Sequence, residues 1–257
     1  MKYSFFPLLL STGALLTTAH ASTAVQGSLA RDLDVKPGQV IQVPITLRNS
    51  GTAAETVRVS IEDVRALPGT TTYLQPGQLD RSNALWIKLP ATLVTVPANS
   101  TKSFNVTISV PQEVAPGTHW SAVIVQPDRQ PSASKGGVIV NTRYAINLIT
   151  TLAGGNAKIR FASPNLERQP EGVNLGVKVF NDGNAVTFPQ YRAEVYDPQG
   201  KLVARNEVGK IRLYPGGGVQ LNFNFGKLTS GKYTFLVMAN DGVNPVVGTR
   251  YNVSLGN

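Results

Sequence analysis

The sequence predicts an all-β protein, two tandem β-sandwiches behind a secretory signal peptide. Three observations carry this reading. Short runs alternate apolar and polar residues along the chain, the period of a strand with one buried face. Glycines (24) and prolines (17) punctuate these runs, and no comparable stretch carries the 3.6-residue period of a helix. The order of the runs also repeats once, which makes two copies of one unit.

In chain order, Lys2, an apolar core over residues 5–16 and the small-x-small triplet Ala19, His20, Ala21 read as a signal peptide over residues 1–21. The apolar run is shorter than the roughly 20 residues that span a bilayer. No later segment approaches that length, so an exported product, periplasmic or extracellular, is expected. The chain has no cysteine, and its cores must hold by apolar burial alone.

The first copy opens with Ile41, Val43, Ile45 and Leu47, where Pro44 points to an edge position because it lacks an N–H. Val57, Val59 and Ile61 form the next strand. Residues 65–83, "RALPGTTTYLQPGQLDRSN", are an insertion rich in Pro, Gly and Thr. Phe104, Val106, Ile108 and Val110 continue the pattern. A flexible loop is expected over residues 126–137, followed by a long strand. In that strand Val138, Val140, Tyr144, Ile146 and Leu148 share one face, while Ile139, Ala145 and Ile149 interrupt the polar one. Such a strand suits two environments.

After Gly154, Gly155 and Asn156 the second copy begins. Its strands carry Val173, Leu175, Val177 and Val179, then Val219, Leu221, Phe223 and Phe225. Tyr233, Phe235 and Val237 follow, and Tyr251, Val253 and Leu255 come last. "ITLRNSGTA" (45–53) matches "VKVFNDGNA" (177–185), and "VAPGTHWSAVIV" (114–125) matches "LTSGKYTFLVMA" (228–239). The predicted units are residues 22–154 and 155–257, each an immunoglobulin-like sandwich. The second alignment sets His119 in the place of Tyr233, two residues after a glycine. A polar-tipped ring there bonds back to the turn as a tyrosine corner does, so His119 reads as structural.

Little chemistry is on offer. With one histidine outside the signal peptide and no cysteine, a histidine or thiolate metal site has no ligand set. No Gly-x-Ser-x-Gly elbow exists, and Asp32 and Asp34 lack the rest of a calcium loop. "YPGGGVQ" (214–220) is glycine-rich but has no helix behind it to cradle phosphate, and reads as a hairpin loop. No enzymatic activity and no cofactor are expected. The net charge of +9, one unit of it from Lys2, is scattered singly, without the concentrated stripe that nucleic acid requires.

Residues 27–153 resemble the N-terminal domain of the WxL-interacting protein family, through "LDVKPGQVIQVPITLRNSGTAAETVRVSIED" (33–63) and "VTVPANSTKSFNVTISVPQEVAPGTHWSAVIV" (94–125). Residues 157–255 are similar to that family's second sandwich. The order of elements also resembles that of periplasmic pilus chaperones. That resemblance implies donation of the last strand of domain one to a subunit, with residues 126–137 as the mobile loop. It also implies a carboxylate anchor, for which Arg31 and Arg143 are the nearest counterparts. Arg31, Val138, Val140, Arg143, Tyr144 and Ile146 are therefore the candidate partner-binding residues, with the apolar ones on a partly exposed edge or cleft. The function expected is protein binding in the cell envelope, the partners being envelope or surface proteins. The alternative is a structural module that holds an anionic wall polymer through its basic surface.

Overall fold

A computed structural model describes residues 23–128 and 142–256. The signal peptide, Val138, Val140 and most of the expected loop lie outside the described residues. No helix among the described residues is long and apolar enough to cross a membrane.

Ten strands among the described residues make the first sandwich. They are β1 (Thr23–Gln26), β2 (Ala30–Asp34), β3 (Val40–Asn49), β4 (Glu55–Leu67) and β5 (Thr70–Leu74). Then come β6 (Ile87–Lys88), β7 (Leu93–Val96), β8 (Thr101–Ser109), β9 (Gly117–Pro127) and β10 (Tyr144–Leu152). One sheet runs β1-β3-β8-β6; the other runs β2-β10-β9-β4-β5, with β7 also paired to β4. Val43, Ile45, Leu47, Val106 and Ile108 of the first sheet meet Val57, Val59, Val123, Val125, Ile146 and Leu148 of the second. These are the apolar members of the alternating runs, and the alternation is the cause of the core.

The chain changes sheets between β1 and β2. β1 lies antiparallel to β3, while β2 runs parallel to β10; Gly27, at φ +87°, makes the bend between them. β1 reaches only Thr46 of β3, so Pro44 lies beyond it, consistent with an edge position. The insertion is less of a loop than its composition suggests. Residues 65–67 prolong β4 and pair with β5 as a hairpin. Residues 75–83 then fold back onto buried Asp63, which accepts hydrogen bonds from Leu79 N (2.8 Å) and the Ser82 hydroxyl.

The second sandwich holds β11 (Ile159–Phe161), β12 (Asn165–Gln169), β13 (Gly172–Asn181) and β14 (Gln190–Tyr196). β15 (Leu202–Val208), β16 (Gly218–Asn224), β17 (Gly231–Asn240) and β18 (Val247–Leu255) complete it. β13 joins β11, β12 and β16 in one sheet, and the other runs β15-β14-β17-β18. Leu175, Val177, Val179, Leu221 and Phe223 face Tyr191, Val195, Phe235 and Val237 across the core. The glycine-rich segment at 214–217 is not a hairpin loop. It crosses from β15 in one sheet to β16 in the other.

The sequence repeat is a repeat of hydrogen bonds. Asn49 and Asn181 are both fully buried at the ends of matching strands. The Asn49 amide donates to Ala53 O (2.8 Å) and Val96 O (3.1 Å), and its oxygen accepts from Gly51 N (2.8 Å). Asn181 does the same with Ala185 O (2.8 Å), Leu213 O (3.2 Å) and Gly183 N (3.0 Å). Each amide is satisfied at both ends, which is what allows it to be buried. The corners match as well. Tyr233 donates its hydroxyl to Thr229 O (3.1 Å), and His119 Nε2–H donates to Ala115 O (3.0 Å), each four residues back.

Candidate functional site at the edge of β10

β10 meets two environments, as its mixed pattern suggests. Ile146, Leu148 and Leu152 belong to the first core. Ala145 and Ile149 face the other way, into a cluster with Val64, Trp120, Ala122 and Ile124 that Tyr214 and Val186 of the second sandwich close. Trp120 and Tyr214 stack at 4.9 Å and 26°, and Trp120 Nε1–H donates to Val64 O (2.8 Å). Burial pushes the Tyr214 hydroxyl up to about 12.

The two sandwiches are joined through more than this ring pair. Arg212 forms a bidentate pair with Asp32 (2.5 and 2.8 Å) and lies over the Phe188 ring. Thr118 N donates to Asn184 O (2.8 Å), and Val186 N donates to Thr118 Oγ1 (2.9 Å). Gly117 lies so close to Asn184 O that a Cβ would fall inside 3.0 Å of it. Sequence reasoning missed Trp120, Tyr214 and the Asp32–Arg212 pair. The available signal was Trp120 facing out of a strand whose other face, Val123 and Val125, already filled a core.

His119 sits beside this joint, buried, with its ring 4.8 Å from that of Trp86. Burial lowers its pKa, its hydrogen bond to the Ala115 carbonyl opposes that shift, and the Arg81 charge adds to it. The imidazole is held neutral in a structural corner.

Among the described residues the edge of β10 is open for part of its length. β9 pairs with all of β10, from Tyr144 to Leu152, whereas β2 pairs only with Asn147–Thr151. On the side away from β9, Tyr144, Ala145 and Ile146 have no strand neighbour among the described residues. Asn147 N points to that side, since it donates to Leu29 O (2.8 Å). Backbone groups alternate along a strand, so the N–H and C=O of Ala145 point to the open side too.

The sequence-predicted residues divide accordingly. Ile146 is a correction, because its side chain is fully buried in the first core and cannot be contacted from outside; what is open there is backbone. Tyr144 is half-buried. Arg31 and Arg143 are not brought together. Arg31 is level with Leu148, five residues from Arg143 and therefore about 16 Å away along the strand. Arg31 lies on the face of Leu33, toward the first core, and donates to Ser28 O. Arg143 lies on the Ala145 face, ion-paired with Glu62 and stacked over Tyr73 at 4.6 Å. A joint carboxylate anchor from these two arginines does not form. Val138 and Val140 lie outside the described residues.

No protein-family profile matches the chain, and no curated protein does. Solved structures do. A chain of the chaperone–tip adhesin complex of CFA/I fimbriae superposes with a TM-score of 0.50 at 14% identity, covering 90% of this chain and 98% of that one. The class 5 fimbriae chaperone CfaA gives 0.49 at 15%, over 91% and 100%. The CsuC–CsuE pre-assembly complex of Acinetobacter baumannii gives 0.47 at 13%, over 78% and 90%. At these identities the likeness is one of fold alone. The resemblance to WxL-interacting proteins gains no support from these neighbours.

Proposed function

We propose that this chain is a non-enzymatic, chaperone-like protein of the cell envelope that binds another protein by strand addition at the open edge of β10. The observation that carries the reading is the three-residue stretch of β10 that β2 leaves uncovered, with the Ala145 N–H and C=O aimed outward. Main-chain hydrogen bonds to such an edge supply affinity without any particular partner sequence. The fold shared with fimbrial chaperones supports the reading, and export to the periplasm or beyond follows from the expected signal peptide. The charge-driven alternative has less behind it. Arg58, Arg143, Arg160, Arg192 and Arg212 each lie against a carboxylate of the chain itself, so these five form no unpaired basic patch for a wall polymer.

Photocrosslinking in the native envelope tests the proposal. A photoreactive residue at half-buried Tyr144 is expected to give a discrete adduct with another protein, and one at exposed Leu202 on β15 is not. Equal labelling at the two places, or none at β10, would sink the strand-addition reading.

A further inference from the structure

The insertion of the first copy builds a cleft that strand addition does not use. It has a volume of about 570 Å³ and lies between the end of β4, the 79–81 loop and the turn at 215–217, within the size range of small-ligand sites. Trp120 forms part of its wall, on the β4 side of β9, whereas the open edge of β10 lies on the far side of that strand. We propose that this cleft binds a small oxyanion ligand, a carboxylate or a phosphate, through Arg65 and Arg81.

The two guanidinium groups differ from others in the chain. Arg81 Nη1 donates to Pro116 O (3.2 Å) and Thr118 O (3.5 Å). Those acceptors are neutral carbonyls, so they hold the side chain in place and leave its charge uncompensated. Arg65 is exposed and has no carboxylate within ion-pair distance among the described residues. Asp80 is the one acid lining the cleft, so the lining keeps a net positive charge. A guanidinium presents parallel N–H donors that fit two oxygens of a carboxylate or phosphate.

The glycine turn contributes shape, not donors. Gly216 N already donates to Asn181 O (2.8 Å) and Gly217 N to Tyr214 O (3.0 Å), so anion recognition falls to the arginines. Leu67, Leu79 and Pro215 supply an apolar wall for the ligand's body. This site stands independently of the strand-addition reading, because it shares neither its edge nor its donors.

The test is an NMR titration of the ¹⁵N-labelled protein at low ionic strength with sodium phosphate and, separately, sodium succinate. The indole N–H of Trp120 and the amides of Gly216 and Gly217 report the cleft. Saturable shifts are expected with at least one anion, and saturation by only one assigns the class. Arg65→Gln should raise the dissociation constant at least tenfold, while Arg250→Gln, on β18, should leave it unchanged. Arg65 is exposed, so that variant keeps its fold. The proposal is overturned by the absence of saturable shifts with both anions, by equal binding in Arg65→Gln, or by the same shifts with sodium chloride.

Discussion

Replacing Gly117 by alanine should uncouple the two sandwiches. Gly117 has φ +101°, where an L side chain is strained by about 1–3 kcal/mol. The new Cβ would also press on Asn184 O, the acceptor of the hydrogen bond from Thr118 N. Losing that bond adds about 0.5–1.5 kcal/mol, so about 2–4 kcal/mol is expected in all. Both tryptophans of the chain, Trp86 and Trp120, belong to the first copy, whereas circular dichroism reads the strands of both. In the parent protein, urea unfolding followed by fluorescence and by circular dichroism should coincide, because Trp120–Tyr214 and Asp32–Arg212 tie the halves together. In Gly117→Ala the fluorescence midpoint should fall and the two curves should separate. Coincident curves with an unchanged midpoint would show that the Gly117–Asn184 contact does not hold the halves in register.

Other outcomes follow from the same geometry. His119→Ala should cost about 1–3 kcal/mol through a lost hydrogen bond and ring contact, and His119→Tyr should keep or raise stability, as the Tyr233 corner suggests; chemical denaturation measures both. Because the folded pKa of His119 is depressed, the unfolded chain takes up the proton first. Its contribution is full above the ordinary histidine value of 6.5 and is lost as pH falls below that toward the folded value, and His119→Tyr should flatten this part of the pH–stability curve. Asn49→Ala and Asn181→Ala should each cost about 2–3 kcal/mol, since the first removes the side-chain partner of Gly51 N, Ala53 O and Val96 O and the second that of Gly183 N, Lys158 N and Ala185 O; a loss under 0.5 kcal/mol would contradict the paired-turn account. Fragments 22–154 and 155–257 should each give a β-rich spectrum and unfold cooperatively, at lower midpoints than the whole chain because cutting exposes Trp120 and Tyr214. Disorder in either one would mean that the joint is obligatory for folding.

Much of this was legible because it depends on local pattern. Alternation alone names Val43, Ile45, Val106, Val177 and Phe235 as core, since a period of two leaves a half-buried strand no other way to face. The Asn-x-Gly match and the His119–Tyr233 equivalence were legible because both devices close within four or five residues. Contacts between distant segments were not. Nothing near Asp32 announces Arg212, 180 residues away, and nothing near Trp120 announces Tyr214. The Arg31–Arg143 pairing failed for a related reason. Sequence spacing cannot give the stagger between β2 and β10, and that stagger, together with the pleat, sets the two arginines on opposite faces. Ile146 failed because alternation reports where side chains point, whereas exposure of an edge concerns the backbone.

The crossover at residues 27–29 acts as a gauge. β2 begins at Ala30 opposite Asn147, so the length of bare β10 is decided by how soon the chain leaves β1, and β10 itself has no say in it. Shortening the bend would let β2 start earlier, and the ladder would grow over Tyr144 and Ala145 like a zip run further up. Lengthening it would uncover Asn147 and then Ile149. Selection could therefore resize the berth offered to another strand by adding or deleting residues beside Gly27, a surface bend where indels cost little, without touching a single side chain of either core.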